Sequence, residues 1–382
     1  MPEEIGPIIQ NLDLLEEEPG GCTVMLAVGS ASRDGRAIVA KNRDVMTIDA
    51  PEIVVLSANQ QGNKYLGIAT IEDPALLTLA INDQGVIVNT AGRYCLEPHN
   101  PGVNSGVVMR RSLERAGCAG DLAAMVQEIV SGEGKSKNGS AFACVDAKEI
   151  YIVETYQKKV ALVGPLQDSI ITYGNYTITE QMKPYEKRYR GHQRANRARE
   201  LLAAQDGGVT PPLMMMVCRD HERPPDFSRF WDDYNVCTHG YGRDTRGSGI
   251  CITARRHPAL LGTLWAALNL PCRTPFLPFY MGITQVPEDF ATANAYEAFE
   301  SLGMALQKVP HLQLEVSRYW SAFEFQTLRE MIPLEERASK LADEGELERA
   351  AELLTKFVSA QAKKALADTE KMTRKILQQS II

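Results

Sequence analysis

A cysteine preceded by two glycines stands near the start of the chain, where Gly21 and Cys22 lead into a run of strand-forming residues. If the peptide bond between them were cut, Cys22 would carry a thiol and a free α-amine on one residue. An α-amine titrates at about 7.7–8.0 and a thiol at about 8.5, so the amine is a base matched to neutral pH. One residue would then supply both the attacking group and the proton acceptor. We therefore expect Cys22 to be a nucleophile and the Gly21–Cys22 bond to be a cleavage site.

The chain can make this cut itself, if the thiol attacks the carbonyl carbon of Gly21 and water hydrolyses the resulting thioester. Glycine suits that step because it tolerates unusual backbone angles and has no obstructing side chain. Residues 1–21 are acidic, lack the basic start and apolar centre of a secretory signal, and end in Pro-Gly-Gly. We predict that residues 1–21 are a leader that is removed.

The residues that follow Cys22 predict a β-hairpin, because an Asp-Gly dipeptide separates two apolar runs. Such a hairpin brings the end of its second strand back beside Cys22. Asp44 would then fix the α-ammonium or orient the amine, whereas Lys41 or Arg43 would hold an anionic group of a substrate. The alternative is a charged strand end at the surface.

The order Cys-Thr, Asp-Gly and Lys-Asn-Arg-Asp resembles the opening hairpin of the cysteine N-terminal-nucleophile hydrolases. That superfamily includes choloylglycine hydrolases, in which an arginine stands at the position of Lys41, penicillin-type acyltransferases and the dipeptidase/secernin family. Residues 262–290 carry a Trp-containing strand, then Pro-Cys and Phe-x-Pro-x-Tyr-x-Gly-Ile-Thr-x-x-Pro, and are similar to the dipeptidase/secernin branch and to self-processing acyltransferase-like relatives. The resemblance covers about residues 21–354 and implies a four-layer αββα sandwich.

Three further motifs assign site residues through this resemblance. The sequence Asn-Asp-Gln-Gly-Val-Ile-Val-Asn-Thr resembles the family's hairpin whose second strand contributes an oxyanion donor, so Asn89 and Thr90 are both candidates. Asn175 matches an asparagine whose side-chain amide binds the oxyanion, and Arg194 matches the active-site arginine of a Ser-x-Arg-x-x-Arg helix. A preorganised donor of this kind stabilises a tetrahedral oxyanion by about 2.7–4 kcal/mol.

The eight cysteines are scattered through the 382 residues, with no Cys-x-x-Cys pair. This spacing disfavours a disulfide scaffold and favours reduced thiols in the cytoplasm. Cys237 and His239 lie close in sequence, but two ligands without partners make a poor metal site, so we expect a structural or substrate-pocket role for them. We predict neither a metal nor an organic cofactor.

The composition sets the broad class of protein. A net charge of −7 without a basic block excludes an obvious nucleic-acid partner, and no apolar run reaches the length of a membrane span. Strand pairs first, helices between them and a helical end indicate a layered α+β protein. We predict a catalytic domain over residues 22–310 and a helical extension over residues 311–382 that packs on it and is compatible with a homo-oligomer.

These expectations combine into a cysteine amidohydrolase that acts on a small linear amide or a dipeptide. Cys22 attacks the carbonyl, its own amine moves the proton, and the acyl-thioester passes to water. One alternative keeps the nucleophile but passes the acyl group to an amine, as an acyltransferase does. The other is a non-catalytic regulatory protein of the same fold, in which the leader stays attached and Cys22 is unreactive.

Overall fold

The computed structural model describes residues 21–46, 51–97, 101–135, 138–223, 233–240 and 243–379. Within these ranges the strands form two antiparallel sheets. The strands are β1 (Gly21–Gly29), β2 (Gly35–Met46), β3 (Glu52–Ala58), β4 (Lys64–Thr70), β5 (Asp73–Asn82), β6 (Ile87–Arg93), β7 (Gly139–Val145), β8 (Ile150–Tyr156), β9 (Lys159–Leu166), β10 (Ile170–Tyr173), β11 (Arg243–Ile252), β12 (Thr263–Leu268) and β13 (Leu277–Tyr280). One sheet has the order β10-β1-β2-β11-β12-β13, and the other runs from β3 to β9 in sequence order.

Helices cover the outer faces of both sheets and form the end of the chain. They are α1 (Ser105–Leu113), α2 (Ala119–Glu133), α3 (His192–Ala203), α4 (Pro211–Cys218), α5 (Pro258–Leu261), α6 (Glu288–Ala291), α7 (Asn294–Lys308), α8 (Gln313–Asp343) and α9 (Leu347–Gln379). The pair α1 and α2 packs on the seven-stranded sheet, while α3 and α4 pack on β10, β1 and β2. The prediction of an α+β, four-layer αββα sandwich with a helical C-terminal region is confirmed.

The β1–β2 hairpin forms where the Asp-Gly dipeptide predicts it. Gly35 has φ +76°, a left-handed conformation that glycine adopts without strain. Asp34 accepts hydrogen bonds from the backbone N–H of Arg36 at 3.2 Å and from its side chain at 2.7 Å, which closes the turn. The resulting register pairs Cys22 with Arg43. The chemistry-bearing residues at both ends of the hairpin are therefore brought together by local structure.

The two sheets pack face to face around a continuous apolar core. Gly249 on β11 lets the two sheets pack closely, since a Cβ there would lie 2.6 Å from Ile68 Cδ1 and 2.8 Å from Leu79 Cδ2 on the opposite sheet. A separate apolar cluster fills the space beneath α1 and α2. The interior between the sheets is therefore largely apolar.

The C-terminal helices pack against the edge of the six-stranded sheet and against each other. Gly345, with φ +81°, separates α8 from α9. Trp320 on α8 is buried and donates its indole N–H to Arg273 O at 2.9 Å. Although α8 and α9 have 31 and 33 residues, no helix within the described ranges is both long and apolar enough to cross a membrane.

Candidate active site around Cys22

Cys22 lies at the start of β1, between β10 and β2 in the six-stranded sheet. The residue is only 6% exposed. On the β10 side, strand pairing starts with Val24 and Tyr173, so the backbone nitrogen of Cys22 lies beyond that ladder. This nitrogen donates instead to the side-chain oxygen Oδ1 of Asn175 at 2.9 Å. The side chain of another segment thus holds the backbone N–H of the predicted nucleophile.

Asn175 follows β10 closely, and its amide group is held at both ends. Its Nδ2 donates to Gly92 O at 2.7 Å, and its Oδ1 also accepts from Arg194 Nη2 at 3.1 Å. Backbone N–H and guanidinium groups only donate, whereas a carbonyl only accepts, so one orientation of this amide satisfies all three partners. The amide oxygen therefore faces the Cys22 nitrogen, and Gly92 takes up one amide N–H.

Arg194, in the first turn of α3, is fully buried and joins several chain segments. Its Nη1 donates to the Asp44 carboxylate and, at 3.2 Å, to Thr23 Oγ1, while its Nε donates to Asp233 Oδ1 at 2.9 Å. Burial disfavours its charge, but Asp44 and Asp233 outweigh that effect and raise the pKa of Arg194. Gly191 before the helix has φ +79°, and a Cβ there would lie 2.9 Å from Arg194 Nη2. Glycine is thus required for both conformation and space.

Asp44 is the anionic end of this network. Its Oδ2 accepts from Arg194, and its Oδ1 accepts from Thr245 Oγ1 at 2.8 Å. Burial raises the pKa of Asp44, and the guanidinium of Arg194 and the hydroxyl of Thr245 oppose that rise. Asp44 is linked to the Cys22 nitrogen through Arg194 and then Asn175. Three of the predicted site residues therefore form one buried chain of hydrogen bonds that ends at Cys22.

The opposite face of β2 carries Lys41 and Arg43. Because side chains alternate along a strand and Arg43 pairs with Cys22, these residues share the face of the thiol, toward the seven-stranded sheet. Lys41 is buried, and its Nζ donates to Thr78 O on β5 at 3.2 Å. Burial lowers the pKa of Lys41, whereas the charge and hydrogen bonding of Cys22 and the charge of Glu52 oppose that change. Lys41 is thus electrostatically coupled to the thiol.

Arg43 and Glu52 form a loose ion pair between the sheets, with Arg43 Nη1 3.6 Å from Glu52 Oε1. Both atoms are buried and have no hydrogen-bond partner among the described residues. Burial raises the pKa of Glu52, and the cations Arg43 and Lys41 oppose that rise. Gly247 makes room for this carboxylate, since a Cβ there would lie 1.6 Å from Glu52 Oε2. Unused hydrogen-bonding capacity therefore remains beside the nucleophile's strand.

Asn89 and Thr90 lie on opposite faces of β6. Asn89 Nδ2 donates to Ala40 O at 3.2 Å, which places this side chain between the sheets, on the side of Cys22. Strand alternation places the Thr90 side chain on the outer face, toward α1 and α2. Asn89 lies three residues before Gly92, or roughly 10 Å along the strand. Asn89 is therefore far along the strand from Gly92, which binds Asn175. Of Asn89 and Thr90, only Asn89 has its side chain in the interior that contains the thiol.

A second group of reactive side chains combines Cys237 and His239 with His221 and Cys272. Their ligand atoms all lie within 4.8 Å of one another, and within the described residues this group can hold a metal ion. The expectation that Cys237 and His239 have no partner ligands is therefore wrong. The sequence concealed the partners because neither His221 nor Cys272 stands at a familiar ligand spacing from the Cys-x-His pair.

Sequence analysis missed several residues that the structure brings to these sites. They are Glu52, His221, Asp233, Thr245 and Cys272. Each arrives through contacts between segments that are distant in sequence. Of the five, only Cys272 belongs to a motif quoted above, the Pro-Cys pair, and that motif does not indicate a ligand. The signal that could have identified Thr245 is the pairing of β11 with β2, which places it opposite Asp44.

Neither a family model nor a curated protein sequence matches this chain. Its sandwich belongs to the architectural class with two central antiparallel sheets and helices on both outer faces. Among solved structures, it is similar to a mutant of the conjugated bile acid hydrolase from Clostridium perfringens, with a TM-score of 0.44 and 10% identity over 68% of this chain and 92% of that chain. It is also similar to penicillin V acylase from Agrobacterium tumefaciens, with a TM-score of 0.42 and 12% identity over 68% of this chain and 85% of that chain. Identities this low leave substrate and activity to be argued from the side chains around Cys22.

Proposed function

We propose that this protein is a self-processing cysteine amidohydrolase of the N-terminal-nucleophile type, which cleaves a linear amide or a dipeptide through an acyl-thioester on Cys22. One observation carries the proposal: the buried network is built around the backbone nitrogen of Cys22, through Asn175 Oδ1 at 2.9 Å. Any buried backbone N–H needs an acceptor, but here the acceptor is a side-chain amide that a buried arginine and aspartate hold in place. That arrangement suits a terminal cysteine, because its nitrogen becomes the base.

The leader would be removed in two steps. The thiol of Cys22 attacks the Gly21 carbonyl carbon, the C–N bond breaks, and the acyl group moves to sulfur while the nitrogen takes a proton. Water then hydrolyses the thioester, which releases a leader ending in the Gly21 carboxylate and restores the thiol. Residues 1–20 lie outside the described residues, so this part of the proposal rests on Gly21, Cys22 and their surroundings.

The same groups would then act on the substrate. The α-amine takes the proton from the thiol, and the thiolate attacks the amide carbonyl carbon. The resulting ammonium returns a proton to the leaving nitrogen, and water hydrolyses the acyl-thioester with the amine again as base. Asn175 Oδ1 would keep the amine oriented, and Arg194 and Asp44 would hold Asn175 in place.

Charge on the inner face of β2 supports roles in substrate binding and thiolate stabilisation. Lys41 shares the face of the Cys22 thiol, so its ammonium would stabilise negative charge on the sulfur during the reaction. The loosely paired Arg43 is positioned to bind a carboxylate or carbonyl of the substrate. For the oxyanion, the candidates are Asn175, through its second amide N–H, and Asn89, whose side chain lies between the sheets. Thr90 can contribute only through its backbone.

The proposal is tested by trapping the acyl-enzyme. Wild-type protein is incubated with a panel of linear N-acyl amides and dipeptides, quenched in acid, digested and examined by mass spectrometry. We expect an acyl adduct on the peptide that begins with Cys22. The Cys22→Ala variant should give neither adduct nor amine release, whereas Cys251→Ala, which removes another buried thiol, should retain both.

Two results would count against amide hydrolysis. Amine release that persists in Cys22→Ala places the chemistry elsewhere. An adduct that disappears faster when an amine is added, with formation of a new amide, identifies an acyltransferase with the same nucleophile.

A further inference from the structure

Three separate segments converge on the cluster formed by His221, Cys237, His239 and Cys272. His221 follows α4, Cys237 and His239 lie in the segment before β11, and Cys272 follows β12. Three of the four residues are buried, and His221 is partly buried. No step of the proposed reaction at Cys22 uses these four side chains, so their convergence needs a separate explanation.

Three separations between donor atoms, all measured from His239 Nε2, are close to those around a tetrahedral ion, and all four donors lie within 4.8 Å of one another. His239 Nε2 lies 3.6 Å from Cys237 Sγ, 3.5 Å from Cys272 Sγ and 3.1 Å from His221 Nε2. Zinc bonds of about 2.3 Å to sulfur and about 2.0–2.1 Å to nitrogen place two tetrahedral donors roughly 3.3–3.8 Å apart. The three distances therefore need to change by only a few tenths of an ångström.

The surroundings of His239 also suit a metal ligand. Its Nε2 faces the cluster, while its other ring nitrogen, Nδ1, lies 4.0 Å from Asp244 Oδ1. Asp244 is itself fixed by the backbone N–H of Gly240 at 3.1 Å and by Arg246 at 3.2 Å. Metal-bound histidines commonly have a carboxylate on the ring nitrogen that does not bind the ion, which sets the orientation of the ring.

We propose that His221, Cys237, His239 and Cys272 bind a structural Zn²⁺ ion. Two thiolates and two imidazoles are the donor set that zinc takes in closed structural sites. All four positions are filled by the protein, so the ion has no position for substrate and stabilises the fold.

The ion would link the segment before β11, which carries Cys237 and His239, to the segments that follow α4 and β12. That segment contributes Asp233, which binds Arg194, and Thr238, whose backbone N–H donates to Thr245 Oγ1 at 2.9 Å. Thr245 in turn donates to Asp44. Zinc therefore supports, from outside, the network that reaches the Cys22 nitrogen.

The test is the metal content of the purified full-length protein, measured by elemental mass spectrometry. We expect a single zinc ion per chain. The zinc content of Cys272→Ala should be lower by about tenfold or more. Cys144→Ala, which removes a buried thiol from β7, should retain the full zinc content.

Wild-type protein provides a measurement that does not depend on how the variants fold. Removal of the metal with a chelator should lower the melting temperature, and Zn²⁺ alone should restore it. Replacement by Co²⁺ should give thiolate-to-cobalt charge-transfer bands and the visible bands of a tetrahedral ion. Zinc-free protein that shows neither recovery nor cobalt bands would overturn the proposal, as would a disulfide between Cys237 and Cys272.

Discussion

The two faces of β2 are built in opposite ways, although their residues alternate along one strand. On the helix face, Asn42 donates to Cys218 O and Val236 O at 2.9 and 2.8 Å and accepts from Ser248 Oγ at 2.7 Å. Asp44 on the same face is bound by Arg194 and Thr245, as described above. On the inner face, Arg43 Nη1 and the Glu52 Oε1 atom that it faces on β3 of the other sheet are buried and have no hydrogen-bond partner among the residues that the structure describes.

This difference separates positioning from reactivity. A fully hydrogen-bonded buried face is rigid, and loss of one partner leaves a desolvated group unpaired. An incompletely bonded face next to a thiol retains capacity for a substrate. We therefore expect substitutions on the helix face to act mainly on stability and substitutions on the inner face to act mainly on activity.

The largest effect should come from Arg194→Met on the helix face. The substitution leaves the buried Asp44 carboxylate without its cation, and it should lower the free energy of unfolding by about 3–5 kcal/mol. Urea denaturation measures the change. Arg197→Met is the matched control, because Arg197 lies on the same helix in a more exposed ion pair with Asp220 and should cost at most about 1 kcal/mol. Equal losses in the two variants would contradict a special role for Arg194.

A smaller loss is expected from Asp44→Asn. The amide oxygen can still accept from Thr245, but the charge opposite Arg194 disappears, so we expect a loss of about 1.5–3 kcal/mol. Removal of the leader should also slow, since the orientation of Asn175 depends on Arg194. Urea denaturation and a time course of intact mass measure both effects. Unchanged stability would show that Asp44 is not the anchor of this network.

Lys41→Met on the inner face should lower catalytic activity without lowering stability. Methionine fills similar space without a buried charge, so stability should change by no more than about 1 kcal/mol or should increase. The rate of amide cleavage should fall roughly 100-fold, because the thiolate loses its neighbouring ammonium. Lys148→Met, at an exposed turn, is the control. A stability loss as large as that of Arg194→Met would remove the contrast between the faces.

The smallest effect is a change in the pH dependence of stability in Glu52→Gln. Because burial raises the pKa of Glu52, the folded protein keeps the proton at pH values where the unfolded chain has released it. This contribution is present below the ordinary glutamate pKa and is lost as pH rises through the folded value. The wild-type advantage over the variant should therefore shrink with rising pH, by about 1.4 kcal/mol per pH unit within that window. Parallel pH profiles would refute the assignment.

Local sequence predicted the parts of the fold that local contacts determine. The Asp-Gly turn fixed the β1–β2 hairpin, and with it the proximity of Asp44 to the start of β1. Gly345 lies at the break between the last two helices, where a glycine in the left-handed conformation ends a helix. The sequence does not predict the helix α4, because Pro-Pro-Leu-Met-Met-Met-Val-Cys is a short apolar run without a clear period. The four-layer arrangement itself came from the family resemblance rather than from periodicity.

The candidate site was predictable only in part, for the same reason. Asn175 and Arg194 could be matched to motifs, but motifs do not state that Arg194 lies between Asp44 and Asn175. Asp233 and Glu52 entered the site through contacts between distant segments, which one sequence does not encode in its spacing. The alternation of β6 now distinguishes Asn89 from Thr90, a choice that the sequence left open.

The central claim is that Cys22 cleaves the bond before it and becomes the terminal nucleophile. The most direct test is the intact mass of wild-type protein beside Cys22→Ala, purified identically. We predict that the wild type has lost residues 1–21 and begins at Cys22, whereas the variant keeps them. A leader that remains on both proteins, or is lost from both, would contradict self-processing by Cys22.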